Sequence, residues 1–400
     1  MISERQPVHV VYGGAHLFKS NVAAKMGELA LKSLTTHAPD AAAFASTFGL
    51  APDLASKVRA RVAHKLEREP VEDFRADFED GYGWRKDEEE DAHAAAVAEA
   101  MAKGLAEKTL PPFVGIRIKS FGAAGSKARA TRTLDRFLTR YFESAKALPP
   151  GFVVTLPKVE VPAETAALDA ILWDHESRLN LAPKSVSFEI MIETPRAIFD
   201  AEGKVALPAI VAAANGRCKA AHFGTYDYTA SLGITAAHQT MQHPAASFAK
   251  HVMQVALAGT SVHLSDGATN VMPVGDTSAV RAAWRLHYDN VRHSLAGGFH
   301  QGWDLHPAQL VARYAAVHAF YLEALAPATD RLKAFVDKAA QASLVGDVFD
   351  DAATGQGLLN FFARGLAAGA ITEDEVLATG LAADELRTRS FAEIVERRRP

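Results

Sequence analysis

The chain has 400 residues, 48% of them hydrophobic and 22% charged, a balance that excludes wholesale disorder and suffices for one large domain or two of middling size. Its formal net charge of −4, with Lys and Arg spread along the chain, argues against a nucleic-acid partner. The single cysteine, Cys218, excludes an internal disulfide, no run approaches the ~20 apolar residues of a membrane span, and MISERQPVHV lacks the pattern of a signal peptide, so a cytoplasmic protein without a membrane partner is expected.

Taken in chain order, eight short apolar runs bounded by turn residues predict strands: VHVVYGG (8–14), FRADFEDG (74–81), FVGIRIKS (113–120), FVVTLPKVE (152–160), SFEIMIETP (187–195), CKAAHFG (218–224), TSVHLSDG (260–267) and FHQGWDLHP (299–307). Between them lie segments such as EEEDAHAAAVAEAMAKGLAE, with apolar residues at helical spacing and acids near the start. Strand alternating with helix implies a parallel sheet, and eight such strands point to an α/β fold, a closed (β/α)8 TIM barrel. Residues 17–70 are too long for one crossover and read as a helical insertion of two or three helices after strand 1. Residues 1–330 are read as the barrel domain and the Ala-rich stretch 331–400 as a helical C-terminal extension.

In such a barrel the loops after the strands carry the chemistry, so polar residues there are the candidates. They are Gly13, Gly14 and His16; Glu79 and Asp80; Arg117 and Lys119; Lys158 and Glu160; Glu193; Asp227; Asp266; and His306. Glu193 closes the apolar run FEIMIETP, where a buried unpaired carboxylate is costly, and Asp227 follows the next strand in HFGTYDYTASLG. Consecutive strands are neighbours, so the two carboxylates could share one Mg²⁺ or Mn²⁺, with substrate and water completing the coordination. The alternatives are an Asp227 that caps the following helix and a Glu193 paired with an arginine. Arg117, flanked by Ile in GIRIK, needs a carboxylate from substrate or from protein, with Glu79 or Asp80 the nearest protein partners. Lys158 and Glu160 could form an ion pair at the rim, and His16 and His306 are either acid–base groups or structural.

DFEDG, GIRIKS, LPKVE, IMIETP, FGTYDYTASLG and GWDLHPAQL, in this order, resemble the strand-end motifs of the HpcH/HpaI aldolase and citrate lyase β-subunit group of the phosphoenolpyruvate and pyruvate barrel superfamily. The resemblance covers roughly residues 8–325. It implies that Glu193 and Asp227 bind Mg²⁺, that Arg117 holds a carboxylate or enolate oxygen of the substrate through a bidentate clamp, and that Glu79 and Asp80 stand behind the ligands as part of the catalytic set. Gly224, Thr225, Lys158 and His16 would border the substrate, with GGAHLFKSN near the entrance in members that act on thioesters. The implied activity is a metal-dependent carbon–carbon lyase of aldol or retro-Claisen type, acting on a small hydroxy or oxo acid or its CoA thioester, in a homotrimer or homohexamer. Rival expectations are a class II pyruvate aldolase using free 2-oxo acids and a catalytically idle ligand-binding barrel.

The chain departs from that pattern in three places. AEGKVALPAIVAAANGR is inserted between the strands of Glu193 and Asp227 and is expected to lengthen a helix. GQGLLNFFARGLAAGAIT is similar to a Gly-rich lid segment that in some thioester lyases serves a neighbouring subunit, but Ala stands where the catalytic acid is expected, leaving Asp350 or Asp351 as substitutes. The 17–70 insertion is foreign to the short members of the group.

Overall fold

The structure, a computed structural model, describes residues 5–341, 352–382, 385–386 and 390–398. Eight parallel strands close into one barrel in sequence order: β1 (His9–Gly14), β2 (Asp73–Asp77), β3 (Phe113–Arg117), β4 (Val153–Leu156), β5 (Ser187–Ile192), β6 (Cys218–Phe223), β7 (His263–Ala268) and β8 (Gln301–Asp304). β8 pairs with β1 through His9 opposite Gly302 and Val11 opposite Asp304, so no strand edge is left open.

The period of two along each strand divides the residues between two environments. Phe74, Ala76, Val114, Ile116, Val154, Leu156, Phe188, Ile190, Ile192, Ala221 and Phe223 join the large apolar core shared with the surrounding helices. The alternate positions face the barrel interior, which carries an unusual load of charge. Arg75 donates through Nε and Nη2 to Glu189, each at 2.9 Å, and through Nη2 to Asp73 at 3.0 Å, while Thr155 donates to Glu189 at 2.5 Å. Buried ions are tolerated only when matched this fully, because each costs several kcal/mol to desolvate. Above this layer Val10, Tyr12, Met191, Ala268 and Trp303 form a small separate apolar cluster inside the barrel.

The insertion after β1 forms three helices, α1 (Val22–His37), α2 (Ala41–Phe48) and α3 (Pro52–Arg68). Asp40 caps α2 by accepting from the Ala43 N–H, Gly49 ends it in the left-handed conformation with φ 68°, and Pro52 opens α3. Val58, Val62 and Leu66 recur every fourth residue and are buried, giving α3 its apolar stripe. The barrel helices needed below are α4 (Asp87–Glu107), α5 (Ser126–Ser144) and α6 (Pro162–Arg178).

The crossover from β5 to β6 does not contain the lengthened helix that the insertion suggests. It holds two short helices, α7 (Pro195–Ile198) and α8 (Leu207–Ala213), joined by a turn that Phe199 and Val205 close with an antiparallel bridge. The turn wins because the Asp200 carboxylate accepts from the N–H groups of Glu202 and Lys204, and Gly203 takes φ +77°.

After β6 come α9 (Thr225–Ser231), α10 (Pro244–Leu257) and α11 (Thr277–Ala296), then α12 (Gln309–Gln341), which runs unbroken across residue 330. α13 (Ala352–Ala367), α14 (Glu373–Leu377) and α15 (Phe391–Arg398) follow. Arg61 of α3 pairs with Glu375 of α14, and Ala363, Arg364 and Ala367 of α13 share a cavity of about 60 Å³ with Gln6, Val8, His263 and His300. Those last residues lie at the N-terminal ends of the strands. The Gly-rich segment therefore packs under the barrel floor and cannot cover the opposite mouth of its own chain, while Asp350 and Asp351 lie outside the described residues. No described helix is long and apolar enough to cross a membrane.

Candidate metal centre at the barrel mouth

The DFEDG run builds the first wall. Asp77, the last residue of β2, is buried, and its carboxylate is used on both sides: Oδ1 accepts from the Glu79 N–H at 2.9 Å and Oδ2 from the Gly81 N–H at 2.7 Å. A Cβ at Gly81 would lie 2.6 Å from Asp77 Oδ2, so only glycine lets the turn fold back onto its own aspartate. Arg117, directly opposite in β3, donates Nε and Nη2 to the same two oxygens at 2.6 and 2.5 Å. Asp77, rather than Glu79 or Asp80, is thus the main partner of Arg117; those two stand 3.6 and 3.7 Å from Nη1. With its Nε edge locked on Asp77, Arg117 keeps Nη1 and the outer N–H of Nη2 to turn toward a ligand. Its guanidinium stacks 4.7 Å from the centre of Tyr12, and the buried Tyr12 hydroxyl and Trp303 indole N–H have no hydrogen-bond partner among the described residues.

Lys119 fixes the same turn from below. Its buried ammonium donates to the carbonyls of Phe78 at 2.6 Å and Gly83 at 3.0 Å, on either side of Glu79 and Asp80, with Glu90 of α4 3.5 Å away. Burial lowers its pKa, and Glu90 opposes that shift.

The second wall comes from β5 and β6, whose register sets Ile192 opposite Phe223 and so brings Glu193 beside Gly224. Here the close approach is extreme: a Cβ at Gly224 would stand 2.4 Å from Glu193 Cγ and 2.7 Å from its Oε1. Gly224 leaves the space that the carboxylate fills. Asp227 follows in the first turn of α9 without capping it, and Glu193 forms no ion pair with an arginine among the described residues. Neither structural alternative for this pair is what the fold builds. Asp80, Glu193 and Asp227 each place a carboxylate oxygen within 4.8 Å of the others. Asp80 thereby joins the cluster itself, closer in than the supporting place expected of it.

Lys158 sits among these acids. Its backbone N–H donates to Glu193 Oε2 at 2.9 Å, and its ammonium reaches Glu79 at 2.7 Å, Asp80 at 3.0 and 3.1 Å, and Asp227 at 3.3 Å. The expected Lys158–Glu160 rim pair is not formed, because the left-handed backbone of Lys158, φ 53°, turns its side chain inward to three carboxylates. Glu160 is exposed.

Burial separates the acids electrically. Glu193, 2% exposed, is pushed up to about 8 by desolvation, against the pull of Arg117 and Lys158. Glu79 rises to about 7, again by burial, partly offset by Arg117. Asp80, whose side chain is 56% exposed, stays below the ordinary range, since hydrogen bonding with Glu79 and the charges of Arg117 and Lys158 outweigh desolvation. Although desolvation opposes it, the surrounding carboxylates, Glu193 foremost, hold the Lys158 ammonium above its usual value.

The remaining candidates are not members of the cluster. His16 is half-buried on the single turn Ala15–Leu17, against the rings of Tyr82 and His93, and burial followed by nearby Arg85 lowers its pKa. Thr225 opens α9 with a buried hydroxyl that has no partner among the described residues. His306 accepts from the Ala308 N–H near the start of α12, and Asp266 is buried against Lys250 and Ser294.

Three carboxylate oxygens, with no sulfur or imidazole among them, form a donor set suited to a hard divalent cation. Separations within 4.8 Å are close to two Mg–O bonds of about 2.1 Å laid end to end. A citrate lyase from Burkholderia xenovorans LB400 has a similar fold, with TM-score 0.59 and 20% identity over 95% of this chain and 99% of that one. A Haloferax volcanii malate synthase in complex with magnesium and glyoxylate aligns with TM-score 0.48 and 17% identity, covering 98% of this chain and 97% of that one. An HpcH/HpaI aldolase/citrate lyase family protein from Burkholderia cenocepacia J2315 aligns with TM-score 0.42 and 13% identity, covering 80% and 95%. No curated protein matches the sequence. The barrel fold is thus shared with a citrate lyase at low identity, while at the level of sequence the match spans residues 2–394, and the chain belongs to the family described as Domain of unknown function (DUF6986).

Proposed function

We propose that the protein is a divalent-metal-dependent carbon–carbon lyase, working by aldol or retro-Claisen chemistry on a small hydroxy or oxo acid or its CoA thioester. The observation that carries this reading is the gathering of Asp80, Glu193 and Asp227 at the strand ends, with a buried arginine beside them. Mg²⁺ or Mn²⁺ held there would supply Lewis acidity where negative charge develops on a carbonyl oxygen. The chain's own residues do the rest. Arg117 offers Nη1 to an anionic group of the substrate, and Asp77 fixes the direction in which Nη1 points. Glu79, raised to about 7 and 2.7 Å from the Lys158 ammonium, can hold or release a proton near neutral pH.

The test is turnover of a panel of hydroxy and oxo acids and their CoA thioesters, after chelator treatment and after restoring Mg²⁺ or Mn²⁺. Activity should need the metal and be lost in Glu193→Gln and Asp227→Asn with the fold intact. Full turnover in excess chelator would overturn the proposal. The panel also separates a thioester lyase from an aldolase of free acids.

A further inference from the structure

We propose that Lys158 is a built-in counter-ion of the candidate metal site, whose ammonium occupies the space between Asp80 and Asp227 and must turn away for a divalent cation to enter. The inference rests on the metal reading above and concerns how that site is guarded.

Lys158 follows β4 with φ 53°, a conformation uncommon for a residue that carries a Cβ. That conformation lets the backbone N–H bind Glu193 while the side chain reaches back over the mouth. The ammonium lies astride both Asp80 oxygens, at 3.0 and 3.1 Å, and 3.3 Å from Asp227. Two of the three members of the cluster are therefore already engaged by one positive charge. A divalent ion needs the same oxygens at about 2.1 Å. An ammonium held at its present distances would then stand within a few ångströms of the ion, and two cations that close repel strongly in a half-buried site.

Without any cation, Glu79, Asp80, Glu193 and Asp227 would face one another and push apart. Lys158 keeps them together, and the cost falls on metal affinity. It also sets a threshold: a monovalent ion gains too little from the carboxylates to displace a charge equal to its own, whereas a divalent ion gains enough. The lysine thus biases the site toward doubly charged ions without contributing a ligand.

Mn²⁺ binding to the full chain, followed by the electron paramagnetic resonance signal of free Mn²⁺, tests this in wild type, Lys158→Met, Lys158→Gln and Lys158→Arg, with circular dichroism confirming the fold. The Met and Gln variants should bind Mn²⁺ at least tenfold more tightly than wild type, while the Arg variant, which keeps the charge, should not. In chelator, the Met variant should melt below wild type, with the gap closing at saturating Mn²⁺. If wild type binds Mn²⁺ and both neutral variants bind no more tightly, the counter-ion role is overturned and the metal reading stands. If neither wild type nor the neutral variants bind Mn²⁺, both fall.

Discussion

Glu193→Gln should make the metal-free protein more stable, and the gain should depend on pH in a defined direction. The Glu193 carboxyl is 2% exposed and titrates at about 8 in the fold, against about 4.3 for an unperturbed glutamate. Well below pH 4 folded and unfolded chains both hold the proton, so the residue contributes nothing to the pH dependence there. As pH rises the unfolded chain loses the proton first, and wild type loses about 1.4 kcal/mol of stability per pH unit through this group until about pH 8, where the loss levels off near 5 kcal/mol. Glutamine keeps an oxygen to accept the Lys158 N–H but carries no charge to desolvate. Urea unfolding in chelator at pH 5, 6, 7, 8 and 9 should therefore show a gap between the variant and wild type that widens to pH 8 and then stays constant. Titrations of groups away from the mouth are common to both chains and cancel in the difference. Mn²⁺ at a hundred times its Kd should restore about 2.7 kcal/mol to wild type and nothing to the variant. A gap that stays flat from pH 5 to 9, or a variant less stable than wild type throughout, would refute the claim that desolvation of Glu193 outweighs the pull of Arg117 and Lys158.

Two further substitutions probe the scaffold around it. Gly224→Ala places a methyl 2.4 Å from Glu193 Cγ, so it should displace that carboxylate and weaken Mn²⁺ binding at least tenfold, with a stability loss of about 1–3 kcal/mol, as titration and thermal unfolding would read. Arg75→Met leaves Asp73 and Glu189 buried without their cation and should cost about 3–5 kcal/mol in urea unfolding at pH 7, a loss that shrinks at low pH as the two acids take up protons.

The strand positions were readable because each begins as a short apolar run ended by turn residues; every predicted run overlaps one strand of the barrel, with β2 starting at Asp73 and β7 ending at Ala268, each one residue outside its run. The insertion after β1 was readable for a similar reason, since Asp40, Gly49 and Pro52 punctuate its helical stripes. The crossover through Asp200 and Gly203 was misread, because apolar periodicity on both sides of a turn looks continuous until local hydrogen bonds break it. Asp77 is not among the residues that the strand-end pattern singles out, yet DFRAD carries charge at every second residue, and that alternation signals a polar barrel interior.

The order of strands and helices, and which loops meet at one mouth, follow from residue pattern alone, because strand and helix periodicity are local and their alternation implies parallel closure. The partners within that mouth come from the three-dimensional arrangement alone: Asp77 on Arg117, Asp80 beside Glu193 and Asp227, and Lys158 among them. Charges from separate strands select one another by distances of a few ångströms, and those distances are fixed by register, by the space left at Gly224 and by a left-handed turn at Lys158, none of which spacing along the chain encodes.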